Sequence, residues 1–226
     1  MIPVRDFANT KIRLAGLITE RQRADLTRSM LLRVLDAVEG SSVVEDTVVV
    51  ASNPKEVSDA LGGRRVKSVE VIREPNWRGG VNGAMQAGMR YINQKDIKGK
   101  GKSQFMLMPS DLPLLESRSV KEMLALKESC EIIINPSRKK DGTSLLVMER
   151  GRQIPLHYDD NSFQNHLAEA RKAGLDVRVV DFPQFSFDLD DEQDLKLLSE
   201  KLKSPDFEGL IRALQHKNSA APEARA

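Results

Sequence analysis

Two groups of carboxylates lie far apart in this 226-residue chain but stand in similar company. Asp111 sits in Pro109-Ser110-Asp111-Leu112-Pro113-Leu114-Leu115, directly behind the apolar run Phe105–Met108. Asp188 sits in Phe187-Asp188-Leu189-Asp190-Asp191-Glu192-Gln193-Asp194, ahead of a helical stripe of Leu195, Leu198 and Leu202. A carboxylate at the end of a strand suits Mg²⁺, which prefers hard oxygens and binds through one or two carboxylates together with water and substrate phosphates. The plainer reading of Asp111 is a turn residue bonding its own backbone ahead of Pro113. In the second group, Asp190 followed three residues later by Gln193 has the form of a capping box, which predicts Asp190 as a helix N-cap and leaves Asp188 to the metal. An Asp111 and Asp188 pair on one Mg²⁺ would serve nucleotidyl transfer, in which an anionic oxygen attacks an α-phosphorus and pyrophosphate leaves. If the acceptor is a phosphate it is already ionised, so no general base is required. That accounts for a chain in which no catalytic His or Cys stands out. His157, His166 and His216 lack metal-ligand spacing and are expected on the surface or on helices, outside the mechanism.

Anion binding has several weaker candidates. Lys11 and Arg13, one residue apart in Ala8-Asn9-Thr10-Lys11-Ile12-Arg13-Leu14, combine a mobile point charge with a planar fork, a pairing suited to the β- and γ-phosphates of a nucleotide. A solvated basic loop is the bland alternative. Gly79-Gly80-Val81-Asn82-Gly83 precedes a helical pattern and could bring backbone amides and Asn82 to a nucleotide, or be a plain helix-entry turn. Asp141-Gly142-Thr143-Ser144 and Asn161-Ser162 could present N–H and hydroxyl donors to an anion, or act simply as turn and cap. The lysine-rich stretch 95–102 reads as a solvated loop.

These residues need a frame. Short apolar runs, most of them rich in β-branched residues, at Thr47–Ala51, Val69–Ile72, Phe105–Met108, Ile132–Ile134, Leu145–Met148 and Val177–Val180 read as strands. Helical stripes alternate with them: Leu26, Met30, Val34, Leu35 and Val38 in a first helix beginning near Thr19, and Ala84, Ala87, Met89 and Tyr91 in another. Alternation with nearly continuous apolar strands predicts an α/β fold of three layers, a mostly parallel sheet with helices on both faces and ligands at the carboxyl ends of the strands. The length and the 40% hydrophobic content suit one domain, taken as residues 1–217, with 218–226 as a disordered tail. The 35 Lys and Arg nearly balance the 33 Asp and Glu, which argues against a nucleic-acid binder. A single cysteine, Cys130, read as a buried strand residue, excludes a disulfide framework and fits a reducing cytosol; neither a signal peptide nor a membrane span is legible, so a cytoplasmic protein is expected.

Taken in order, Lys11-x-Arg13-Leu14, the Gly80–Ala84 turn, Asp111-Leu112-Pro113-Leu114, Gly142-Thr143, Ser162-Phe163 with His166-Leu167, and Phe187-Asp188-Leu189-Asp190 followed by Glu192 and Asp194-Leu195 resemble the 2-phospho-L-lactate guanylyltransferase family over roughly residues 1–200. The resemblance implies a nucleotide-diphospho-sugar-transferase (GT-A-like, Rossmann-like) fold and an Mg²⁺-dependent reaction of GTP with 2-phospho-L-lactate. The products would be lactyl-2-diphospho-5′-guanosine and pyrophosphate, on the way to coenzyme F-420. It further implies that Asp111 and Asp188 hold the metal, that Lys11 and Arg13 meet the triphosphate, and that Thr143 and Ser162 contact the phospho-acid. Gly80, Asn82 and Asp111 join Lys11 and Arg13 in the expected nucleotide site. Asp159 stands where some relatives place a glycine whose backbone helps hold the acceptor, and an acidic side chain there is unfavourable unless it points away. The family is thought to be homodimeric, and some members to use phosphoenolpyruvate. The first loop, Phe7-Ala8-Asn9-Thr10-Lys11, lacks the glycines usual in the wider superfamily, which disfavours a sugar nucleotidyltransferase. Molybdenum-cofactor guanylyltransferase, cytidylyltransferase and a non-catalytic nucleotide-binding module are the alternatives.

Overall fold

Every short apolar run becomes a strand, because each is too short for a helix and each is bounded by polar or turn residues. The computed structural model describes residues 1–62, 68–74, 80–95 and 103–201. The chain passes from β1 (Ile2–Val4) through two 3₁₀ turns, Phe7–Asn9 and Ile12–Leu14, into α1 (Glu20–Ser41). There follow β2 (Thr47–Ala51), α2 (Pro54–Leu61), β3 (Val69–Arg73), α3 (Gly80–Gln94), β4 (Gln104–Leu107) and α4 (Ser117–Ala125). The second half holds β5 (Ile132–Pro136), β6 (Thr143–Glu149), α5 (Ser162–Lys172), β7 (Val177–Val179), the one-turn α6 (Pro183–Ser186) and α7 (Glu192–Lys201). The expectations for the lysine-rich stretch beyond residue 95, for His216 and for the tail at 218–226 fall outside the described residues, or in the first case almost wholly so.

β1, β2 and β3 pair in parallel, while β4, β6, β5 and β7 form a second group in which only β6 runs against its neighbours. The groups join through residue 1: the Met1 nitrogen donates to the Met106 carbonyl at 2.6 Å, and the Met108 N–H donates to the Met1 carbonyl at 3.2 Å. That bond pattern is a parallel bridge, giving the order β3-β2-β1-β4-β6-β5-β7. After β1 the chain turns towards β2, and after β4 towards the other edge. The ends of β1 and β4 therefore flank the topological switch point, where open α/β sheets bind their ligands.

Side chains alternate across the sheet with period two. Val49, Ala51, Ile133, Leu145 and Val147 pack with Leu31, Val34 and Leu35 of α1 and with α2 and α4 on one face. Val48, Val50, Ile132, Ile134, Leu146 and Met148 pack with Ala84 and Met85 of α3 and Phe163 and Ala170 of α5 on the other. Three layers result, as the alternation predicts. Helix α1 starts where expected: the Thr19 hydroxyl accepts from the Gln22 N–H, and Gln22 reaches back to the Thr19 N–H. A third cluster packs Leu14, Ile18, Leu26 and Met30 against Phe187, Leu189, Leu195 and Leu198, which fastens the last described segment beside the start of α1.

Candidate active site

Phe187 and Leu189 are buried, at 4% and 0% exposure, so the extended segment between α6 and α7 turns Asp188 and Asp190 the other way, towards the switch point. Its approach is fixed by Asn135 at the end of β5. The Asn135 amide donates to Ser186 Oγ at 2.8 Å, its carbonyl accepts from the Phe182 N–H at 2.8 Å, and the whole group is buried. From the opposite side comes Lys11, in the left-handed conformation (φ 52°, ψ 39°) between the two 3₁₀ turns. Such a backbone costs a non-glycine residue about 1–2 kcal/mol, and it delivers the ammonium to two carboxylates. Lys11 Nζ donates to Asp111 Oδ2 at 2.5 Å and to Asp190 Oδ1 at 3.0 Å, with its side chain only 7% exposed.

Electrostatics shows what is crowded here. Burial alone would push the Lys11 ammonium towards neutrality, but Asp111 and Asp190 outweigh it and hold its pKa above the usual value, so Lys11 is charged. Asp188 is not among Lys11's hydrogen-bond partners. Burial first, then the charges of Asp190 and Asp111, push its carboxyl up from 3.8 to about 6. Three carboxylates thus face one lysine, a deficit of positive charge that a divalent cation would relieve. Among the described residues no three His, Cys, Asp or Glu side chains converge closely enough to hold a metal ion by themselves. Asp111 and Asp188 are the two that could hold a hard cation such as Mg²⁺, which takes one or two carboxylates and completes its shell with water and phosphate oxygens.

The assignment of Asp190 as helix N-cap is overturned. The cap of α7 is one residue later: Asp191 Oδ1 accepts from the Gln193 N–H at 2.9 Å and the Asp194 N–H at 3.0 Å. Asp194 closes the box, its Oδ2 accepting from the N–H groups of Asp190 and Asp191 while its Oδ1 pairs with Arg138. Both Asp190…Gln193 and Asp191…Asp194 have box spacing, and the burial of Asp194, which pairs with Arg138, selects the second. Asp191→Ala should cost about 1 kcal/mol in a urea unfolding curve, whereas removal of the Asp190 carboxylate should act through Lys11 and not through the helix.

The other nominated cations and turns separate. Arg13 is exposed on the turn after Lys11, so the two do not share one contact in this arrangement. Gly80 opens α3 at φ +54° with nothing within 4 Å of a would-be Cβ, so the left-handed backbone and not space calls for glycine. Asn82, on the first turn of α3, is tied to the loop before α5: it donates to Asp159 Oδ2 at 2.9 Å and accepts from the Tyr158 N–H at 2.7 Å. Asp159 is exposed and drawn towards α3 by this bond.

Thr143 and Ser162 do come together. Because β6 runs against β4 and Leu146 pairs with Leu107, the start of β6 lies at the rim where β4 and β5 end. There Ser162 Oγ, on the first residue of α5, accepts from the Thr143 N–H at 2.7 Å. Thr143 Oγ1 lies 2.9 Å from Nδ1 of His166, which is fully buried and whose Nε2 accepts from the His157 N–H at 2.9 Å. The expectation that His166 is an idle surface or helix residue is corrected: it is on a helix, but inside this network. Cys130 is buried at the entry to β5, with Sγ towards the Leu126 carbonyl. Among the described residues no helix is long and apolar enough to cross a membrane.

A mostly parallel sheet of this order, with carboxylates and a lysine at the β1/β4 crevice and the Thr143 and Ser162 hydroxyls on the same rim, defines a nucleotidyltransferase of the nucleotide-diphospho-sugar-transferase fold. Two solved structures share it. A nucleotide-diphospho-sugar transferase structure from Desulfovibrio desulfuricans G20 superposes with a TM-score of 0.70 at 17% identity, covering 96% of this chain and 94% of the other. A nucleotidyl transferase from Methanothermobacter gives 0.57 at 14% identity, covering 89% and 97%. Residues 1–204 match the family described as "Guanylyl transferase CofC like", and the chain belongs to that family. A phosphoenolpyruvate guanylyltransferase from Rubrobacter xylanophilus is 30% identical over 88% of this chain and 91% of its own. A 2-phospho-L-lactate guanylyltransferase from Methanocaldococcus jannaschii is 28% identical over 86% and 79%. A 3-phospho-D-glycerate guanylyltransferase from Phenylobacterium zucineum is 28% identical over 86% and 86%.

Proposed function

We propose that this chain transfers GMP from GTP to 2-phospho-L-lactate, giving lactyl-2-diphospho-5′-guanosine and pyrophosphate in the cytoplasmic synthesis of coenzyme F-420. The observation that carries the reading is the trio of carboxylates around Lys11 at the strand-end crevice, on the same rim as the Thr143 and Ser162 hydroxyls. Mg²⁺ held by Asp111 and Asp188 would neutralise the charge on the reacting phosphates.

An oxygen of the acceptor's phosphate forms the new bond to the α-phosphorus. The bond from that phosphorus to the bridging oxygen of the β-phosphate breaks, and pyrophosphate departs with the electron pair. No proton need move, because the attacking oxygen is ionised at neutral pH. Lys11 and Arg13 would receive the charge of the β- and γ-phosphates, and Asp190 would keep Lys11 in place until then. Gly80 and Asn82 open a helix that would flank the nucleotide, and Asn82 also holds the 158–159 loop. Thr143 and Ser162 would anchor the phospho-acid, with the Asp159 carboxylate held by Asn82. A homodimer is part of the proposal by family resemblance.

Phosphoenolpyruvate is the second reading, favoured by the name of the Rubrobacter relative. The test is pyrophosphate release by the purified protein with each of the four NTPs against 2-phospho-L-lactate, phosphoenolpyruvate, 3-phospho-D-glycerate and a sugar phosphate, with Mg²⁺ and with EDTA. GTP with 2-phospho-L-lactate should give the highest kcat/KM, and EDTA should abolish it. A preference for another base or acceptor would replace the reading, and release with none of the pairs would remove it.

A further inference from the structure

We propose that His166 is a positioning residue for the acceptor site: it fixes the direction of the Thr143 hydroxyl, so that Thr143 and Ser162 both have a proton left to give to the anionic phosphate of a phospho-acid. This rests on the functional reading above and adds a residue and a direction to it.

The direction follows from one bond whose polarity is certain. A backbone N–H can only donate, and His157 N–H points at His166 Nε2 at 2.9 Å. Nε2 must therefore be the unprotonated nitrogen, and the neutral ring carries its proton on Nδ1. Nδ1 lies 2.9 Å from Thr143 Oγ1, so the ring donates and the hydroxyl oxygen accepts. The Thr143 proton is then directed elsewhere, and among the described residues no acceptor for it is found. The same logic applies to Ser162, whose Oγ accepts from the Thr143 N–H at 2.7 Å and keeps its own proton. Protonation of the ring would break the arrangement, since an imidazolium cannot accept from His157. Full burial, reinforced by the neighbouring His157, guards against it by holding the ring's pKa down to about 4.

Two hydroxyls on residues bonded to each other at the rim, each left with a proton that no described residue accepts, match a ligand group that only accepts, as ionised phosphate does. Withdrawing the ring's donor would let Thr143 rotate and point its proton at His166 instead, turning a donor towards the ligand into an acceptor facing negative charge.

His166→Asn and His166→Gln separate the two ends of the ring. Asn places an amide N–H where Nδ1 stood and leaves the His157 N–H without an acceptor. Gln places its oxygen where Nε2 stood and withdraws the donor from Thr143. Steady-state kinetics with GTP and 2-phospho-L-lactate should show His166→Gln raising the acceptor KM about tenfold, the worth of one hydrogen bond of about 1.4 kcal/mol, with the KM for GTP unmoved. His166→Asn should lower Tm but keep the acceptor KM within about twofold. In a Thr143→Val background, His166→Gln should add nothing further. A long-range ¹H–¹⁵N spectrum of the wild-type ring should place the proton on Nδ1. Equal damage from Asn and Gln, an undiminished Gln effect beside Thr143→Val, or a proton on Nε2 would each overturn the proposal. If the wild type turns over no phospho-acid, the functional reading fails separately. Calorimetric titration with inorganic phosphate then decides: binding weakened by His166→Gln and by Thr143→Val supports the role of His166, and binding unchanged by both removes it.

Discussion

Asp188→Asn is expected to cripple nucleotidyl transfer while making the metal-free protein more stable at neutral pH. The two effects have one origin. Asp188 lies partly buried beside Asp190 and Asp111, and its carboxyl is pushed up from 3.8 to about 6. A group with a raised folded-state pKa binds its proton more tightly when folded, so its contribution to stability is full below about pH 4 and is lost as the pH rises through about 6. A rise from 3.8 to about 6 corresponds to at most about 3 kcal/mol, and solvent screening of a side chain that is not fully buried brings this to about 1–2 kcal/mol. Asparagine never acquires the charge. The Tm difference between variant and wild type should therefore be near zero at pH 4 and open in favour of the variant by pH 7. Added Mg²⁺ should raise the Tm of the wild type at pH 7 and leave that of the variant nearly unmoved. Turnover should fall roughly 10²–10³-fold, the usual consequence of removing one group that stabilises transition-state charge. Asp111→Asn should lose turnover as well, but with the opposite stability effect, because it takes a hydrogen-bonded partner from Lys11. Activity close to normal in either variant, or a Tm difference that does not change with pH, would contradict the metal-binding role.

What could be read from the sequence, and what could not, divides by the range of the forces involved. Strand positions were legible because a buried strand is local: the run Thr47–Ala51 is apolar enough to be buried on both faces, and it is β2 to the residue. The start of α1 was legible because a capping box is complete within four residues. Asp111 and Asp188 could be nominated because strand ends are where such sheets hold ligands. Partner choice was not legible. Lys11 finds Asp111 across 100 residues and Asp190 across 179, and no local pattern distinguishes Asp190, bonded to a lysine, from Asp191, capping a helix one residue later. Asn135 carries no local signal, and the spacing of His166 places it outside the mechanism, for a related reason. Each is a polar residue in an apolar stretch or on a helix face, and its function lies wholly in long-range bonds to backbone and hydroxyl groups that only the folded chain assembles. The Asn82 to Asp159 bond likewise links two residues nominated for different ligands, 77 positions apart.

Lys11→Met should unfold more easily by about 3 kcal/mol, and Asp190→Asn should restore a substantial part of that loss. Were Lys11 a triphosphate ligand alone, its removal would leave the fold intact. Its burial makes it a structural counter-ion as well: with 7% of the side chain exposed and two carboxylates within bonding reach, it is the cation around which Asp111 and Asp190 are tolerated. Removing one member of a buried ion pair leaves the other charged and unpaired, which costs about 3–5 kcal/mol. The lower figure applies because Asp190 remains 43% exposed and can turn towards water. Methionine keeps the length and the apolar stem, so the loss reports the charge. Neutralising Asp190 in the same chain removes one of the stranded carboxylates and should recover more than a third of the loss in urea unfolding, whereas Asp190→Asn alone should be nearly silent. The stabilised double variant then isolates the second role. If Lys11 meets the triphosphate, the KM for GTP should stay elevated about tenfold or more in Lys11→Met with Asp190→Asn, even though the fold is recovered. A KM for GTP that returns to normal along with stability would make Lys11 a clamp on the carboxylates alone, and the triphosphate would have to be held by Arg13 and the metal.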